Sequence, residues 1–220
     1  MTRIPLSILA LIIAFLVPGC ATTRKVYYDA WEKLGYAKRE RLVDNVKEAR
    51  QEQVEAKQQF ASALEEFKSV VNFKGGDLEK MYNKLNDAYR DAESQANEVT
   101  EKITGVKRVA DALFTEWKGE IAEIREASLQ QSSQKLYIQT RDNYRQMIQR
   151  MDAAAATMDP VLQRFKDRVL FIKSNLNAQA IASLSGTEVE LGEDIERLIR
   201  EMEASIAEAD RFIAETQAKK

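Results

Sequence analysis

Apolar residues recur along this chain at alternating steps of four and three. Leu42, Val46, Ala49, Gln53, Ala56, Phe60, Ala63, Phe67 and Val70 follow that rule, with Gln53 the one polar position. Such a repeat is the seam of a helix packed along its length on another helix, and it predicts a first helix over about 23–73. Gly75 and Gly76 then offer the left-handed backbone that ends a helix, and Asp77 a carboxylate to cap the next one. A second helix is predicted over about 78–127. Met81, Leu85, Ala88 and Ala92 hold the repeat at its start, and Val99, Ile103, Val106, Ala110, Leu113 and Trp117 hold it further on. The two stretches join through Ala96 with one skipped step, which predicts local unwinding of the supercoil.

The polar run 128–133 reads as a turn, with Ser132 or Ser133 capping the third helix; it holds no Gly or Pro, so a helix continuing through it is the alternative. Beyond it, Tyr137, Tyr144, Met151, Met158, Phe165 and Ile172 are spaced by seven. Arg141, Ile148, Ala155, Leu162, Val169 and Leu176 each stand four residues later. Pro160 falls inside this pattern, where it removes a backbone hydrogen bond at a cost of about 3 kcal/mol in a straight helix. The repeat keeps its phase across Pro160, which predicts one kinked, continuous helix. A last helix is predicted after 183–186. Thr187-x-x-Glu190 matches a capping box, and Ile195, Ile199, Met202, Ile206, Ala209, Ile213 and Thr216 carry the seam to the end.

No stretch of useful length alternates as a strand would. The expected fold class is all-α: an elongated antiparallel three- or four-helix bundle or coiled coil, formed by residues 20–220 as one domain, because short connections make neighbouring helices antiparallel. Charge adds a pairing. Residues 134–176 carry eight Lys/Arg against four Asp/Glu, and residues 187–216 carry three against ten. Opposite sign predicts that these two segments dock side by side, although exposed ion pairs contribute little each.

The 220 residues include no His and a single Cys, Cys20. That removes the commonest general base, any thiolate metal cage and any disulfide within the chain. Net charge is -2, so no global field favours nucleic acid. Glu65-Glu66 and Glu193-Asp194 are adjacent acids, but sequence neighbours do not face one another on a helix. Gly75-Gly76 lacks the Lys-Ser/Thr ending of a phosphate loop. The expectation is therefore a protein with no catalytic residue, cofactor, metal, nucleic-acid partner or small-molecule substrate.

The N-terminus reads as a processing signal over residues 1–19. Arg3 is followed by an uncharged, mostly apolar stretch from Leu6 to Val17, far short of the roughly 20 residues that span a bilayer. Leu16-Val17-Pro18-Gly19-Cys20 resembles a bacterial lipobox, with Pro18 departing from the usual small or aliphatic residue. The resemblance implies a lipidated Cys20 as the mature N-terminus; the alternative is ordinary secretion with an unpaired thiol. Ala21 differs from the Asp that resembles an inner-membrane retention signal, which points to the outer membrane, facing the periplasm. Tyr27, Tyr28 and Trp31 then lie close to Arg24 and Lys25. Aromatic rings and cations favour a lipid–water interface, so these five form a candidate membrane-proximal surface; equally, the aromatics begin the seam of the first helix.

The stretch 26–43, with Tyr27-Tyr28-Asp29-Ala30-Trp31-Glu32-Lys33-Leu34-Gly35-Tyr36 at its heart, resembles a bacterial family known as domain of unknown function 2959. So do Ala63-Leu64-Glu65-Glu66-Phe67 and Asn72-Phe73-Lys74-Gly75-Gly76-Asp77-Leu78-Glu79. The resemblance covers nearly the whole chain after Cys20. It implies a helical, often lipid-anchored architecture and brings no catalytic residues with it. The expected function is a structural spacer or protein-interaction adaptor in the cell envelope. Its partners would be the membrane, through the anchor, and an envelope protein or further copies of itself. A peripheral membrane-binding or membrane-shaping module is the alternative.

Overall fold

The computed structural model describes residues 20–73, 75–184 and 186–218, and from residue 38 onward their side chains apart from 178 and 180. Five helices occur in order: α1 (Cys20–Val71), α2 (Leu78–Glu123), α3 (Ala127–Ser174), α4 (Ala178–Ala182) and α5 (Thr187–Gln217). No strand occurs among the described residues, and the fold is all-α. The chain divides into two compact units at Lys38/Arg39. Of the first, only the α1 backbone from Cys20 and the side chain of Lys38 are described.

In the second unit, four long helices form an up-down-up-down ring in the order α1, α2, α3, α5. Contacts between them run in opposite residue directions. Gln95 Nε2 donates to Glu52 Oε2 at 2.7 Å and Lys102 Nζ meets Glu48 at 2.9 Å, so α1 and α2 are antiparallel. Trp117 Nε1 donates to Ser133 Oγ at 3.3 Å, and Lys107 pairs with Asp152 at 2.7 Å, which does the same for α2 and α3. Arg164 binds Asp194 while Asn143 binds Glu215, so α5 runs back along α3. Arg50 on Asp210 at 2.9 Å and Lys57 on Glu203 at 3.2 Å close the ring between α1 and α5.

The seams fill its centre. All nine α1 seam positions from Leu42 to Val70 are buried, Gln53 among them. Phe165 of α3 lies under the rings of Phe67 from α1 and Tyr89 from α2, at centroid distances of 5.9 and 5.8 Å in edge-on geometry. In α2 the buried line runs Leu85, Tyr89, Ala92, Ala96, Val99, Ile103, Val106, Ala110, Leu113 and Trp117, in unbroken steps of four and three. The skipped step expected at Ala96 is absent. It came from reading Ala88 as the seam residue, whereas its neighbour Tyr89 takes that place and Ala88 is only partly buried.

The turn expected at 128–133 lies instead at 124–126. Ile124 and Glu126 have extended backbone (ψ 116° and 114°), and residues 128–133 are the opening turns of α3. The polar run is used to fasten that junction. Gln130 Nε2 donates to the Ile121 carbonyl at 3.2 Å, Ser128 Oγ to Glu126 at 2.5 Å and Ser132 Oγ to the Ser128 carbonyl at 2.9 Å. Side-chain donors and acceptors thus tie a helix end that has no Gly to shape it. At the other turn the expectation holds: Gly75 and Gly76 have φ of 129° and 124°, and Asp77 Oδ1 accepts from Lys80 N at 3.0 Å.

α3 continues through Pro160, which is exposed. On the solvent side the carbonyl left without its donor can be hydrated, so the interruption stays local. The helix ends at Ser174, leaving Leu176 outside it and 40% exposed, contrary to its expected seam place. The capping box at Thr187 is also displaced. Gly186, at φ 98°, is the cap residue; Thr187 Oγ1 donates back to the Leu184 carbonyl at 2.9 Å. Glu188, not Glu190, accepts from Gly186 N at 2.9 Å.

Candidate functional site

Cys20 is the first residue of α1, and Arg24, Lys25, Tyr27, Tyr28 and Trp31 lie within the same helix. Their side chains fall outside the described residues, as does the segment 1–19 expected to be a signal peptide. The acids singled out by adjacency have structural surroundings. Glu65 pairs with Lys68 one turn on, at 3.0 Å. Asp194 is 8% exposed, and Arg164 from α3 and Arg197 from its own helix both donate to it. One guanidinium binds each carboxylate oxygen, so this acid is the centre of a structural ion-pair network between α3 and α5.

The buried polar groups gather between helices. Gln53 and Ser205 are both fully buried, and Ser205 Oγ donates to Gln53 Oε1 at 2.9 Å across the α1–α5 seam. Gln53 Nε2 is buried without a hydrogen-bond partner. Turning the amide over would exchange its two ends and still leave one unpaired. One such polar layer in an apolar seam penalises any shifted register, because a shift would bury both groups against hydrocarbon. Gln53 was legible as a break in the repeat; Ser205 was not, because its line of Leu191, Leu198 and Phe212 lies one step from the seam read for α5.

Aromatic residues collect where α2, α3 and α5 meet. Trp117 and Phe114 stand edge-on to Tyr137 at 5.7 and 5.8 Å, Phe114 reaches Tyr144 at 5.4 Å, and Tyr144 reaches Phe212 at 6.4 Å. The Arg39 guanidinium lies 4.3 Å from the Trp117 ring centre. Burial, and then the carboxylates of Asp111 and Asp152, push the Tyr144 hydroxyl up to about 12. Burial likewise raises Tyr89, helped by its 2.5 Å hydrogen bond to Glu93. Both phenols are held neutral, as packing groups are.

On the surface, an open groove between α1 and α5 is lined by Lys47, Glu48, Arg50, Gln51, Asp210 and Ile213. Its Arg50 and Asp210 already bind one another. The other surface feature is apolar. All seven exposed large hydrophobic side chains among the described residues lie on α3, on the connection after it or at the start of α5. The described residues contain no group of three or more His, Cys, Asp or Glu arranged to hold a metal ion. Among them, no helix is long and apolar enough to cross a membrane.

Residues 27–216 match the family described as Protein of unknown function (DUF2959). No curated protein and no solved structure matches the chain. The family match spans well over half of the sequence, and the chain belongs to the DUF2959 family.

Proposed function

We propose that this DUF2959-family protein is a non-enzymatic lipoprotein of the cell envelope, held on the membrane by acyl chains on Cys20 and acting as a structural spacer or adaptor whose helical faces bind protein. The observation that carries the reading is the processing signal: an uncharged stretch ending in Leu16-Val17-Pro18-Gly19-Cys20, where the chain places its single Cys. More than one acyl chain turns marginal membrane binding into stable anchoring. The bundle supports the second half of the reading. Its seams are closed by side chains, its buried acid is paired with arginines, and the exposed large apolar residues among those described lie on α3, on the connection after it or at the start of α5. Ala21 favours the outer membrane, facing the periplasm.

The test is metabolic labelling with a fatty acid. The protein takes up label, and Cys20→Ala abolishes it and leaves an uncleaved or soluble species. Label entering the mutant would refute the anchor. Recovery of the native lipoprotein with its bound neighbours is expected to yield an envelope protein or a second copy of the chain.

One sequence feature favours a second reading, a membrane-binding module. Arg24, Lys25, Tyr27, Tyr28 and Trp31 have the composition of an interfacial surface. Co-sedimentation of the Cys20→Ala protein with anionic vesicles at low salt decides it, since absence of binding removes that reading.

A further inference from the structure

We draw no further inference here: the strongest candidate, the exposed apolar patch at Leu129 and Leu136 on the flank of α3 that continues the line of Asn143 and Arg164 past the end of α5, carries nothing because no described residue shows what covers it.

Discussion

Gln53 and Ser205 give the sharpest energetic test of the bundle. The pair makes one 2.9 Å hydrogen bond and leaves Gln53 Nε2 buried and unpaired. A buried donor without a partner costs about 1–3 kcal/mol, while a satisfied neutral hydrogen bond contributes about 1 kcal/mol net. Replacing both partners by apolar groups of similar size removes the penalty and the bond together. Gln53→Met with Ser205→Ala is therefore expected to stabilise the protein by about 1–2 kcal/mol. At roughly 2–4 °C per kcal/mol for a unit of this size, Tm rises by about 2–8 °C. Ser205→Ala alone strips the amide of its partner and is expected to destabilise by about 1–3 kcal/mol. Gln53→Met alone is near neutral, because the Ser205 hydroxyl can turn to a carbonyl of its own helix. Urea and thermal unfolding monitored by far-UV circular dichroism give the four corners of the cycle. A double variant less stable than the native protein would refute the assignment of an unpaired group in the α1–α5 seam.

Two other positions give outcomes of the same kind. Pro160 is exposed within a continuous helix, so Pro160→Ala restores a backbone hydrogen bond and is expected to stabilise by about 2–3 kcal/mol; an unchanged urea midpoint would mean that α3 is already relaxed there. The Tyr144 hydroxyl, pushed up to about 12, ionises more readily in the unfolded chain, whose phenols titrate near 10. The native state thus holds the proton longer, and the contribution is complete below about pH 10 and lost as pH rises towards 12, about 2 kcal/mol in all; Tyr144→Phe should flatten that part of the stability profile relative to the native protein.

The helices were legible because each carries a repeat that a single seam requires. α1 shows this best, since every residue from Leu42 to Val70 on its seam is buried. The seam misreadings in α3 and α5 share one physical cause. A helix in a ring touches two neighbours, so a line on either side of its central one can complete the seam, and the sequence alone does not choose between them. In α3 the unread line is Thr140, Met147, Ala154 and Val161; in α5 it is Leu191, Leu198, Ser205 and Phe212. Ile199, Ile206 and Ile213, read as seam, are only partly buried because they stand at the margin of the α5 contact. Turns without Gly were harder again. Ile124-Arg125-Glu126 carries no local signature, and its position depends on where Gln130 and Trp117 find their partners. The buried acid Asp194 was seen in sequence only as one of an adjacent pair, because its two arginines come from different turns and different helices.

Charge does different work from the core. Counting whole helices, α2 carries seven Lys/Arg and ten Asp/Glu, α3 eight and four, and α5 three and ten. The basic helix thus stands between two acidic ones, and the two acidic helices lie across the diagonal of the ring. Arg164 on Asp194 and Arg168 on Glu190 at 3.5 Å are the visible part of this arrangement. Fully exposed pairs contribute about 0–1 kcal/mol each, and these two, each with one largely buried partner, also lose hydration, so the apolar lines and not the ion pairs hold the helices together. A helix order that set α2 beside α5 would bury the same hydrocarbon while bringing like charges into contact along some 45 Å of helix, and that difference separates the two orders. Hydrocarbon supplies the cohesion of the bundle, Gln53 and Ser205 tie α1 to α5 in register, and the basic sign of α3 favours its place between acidic α2 and α5.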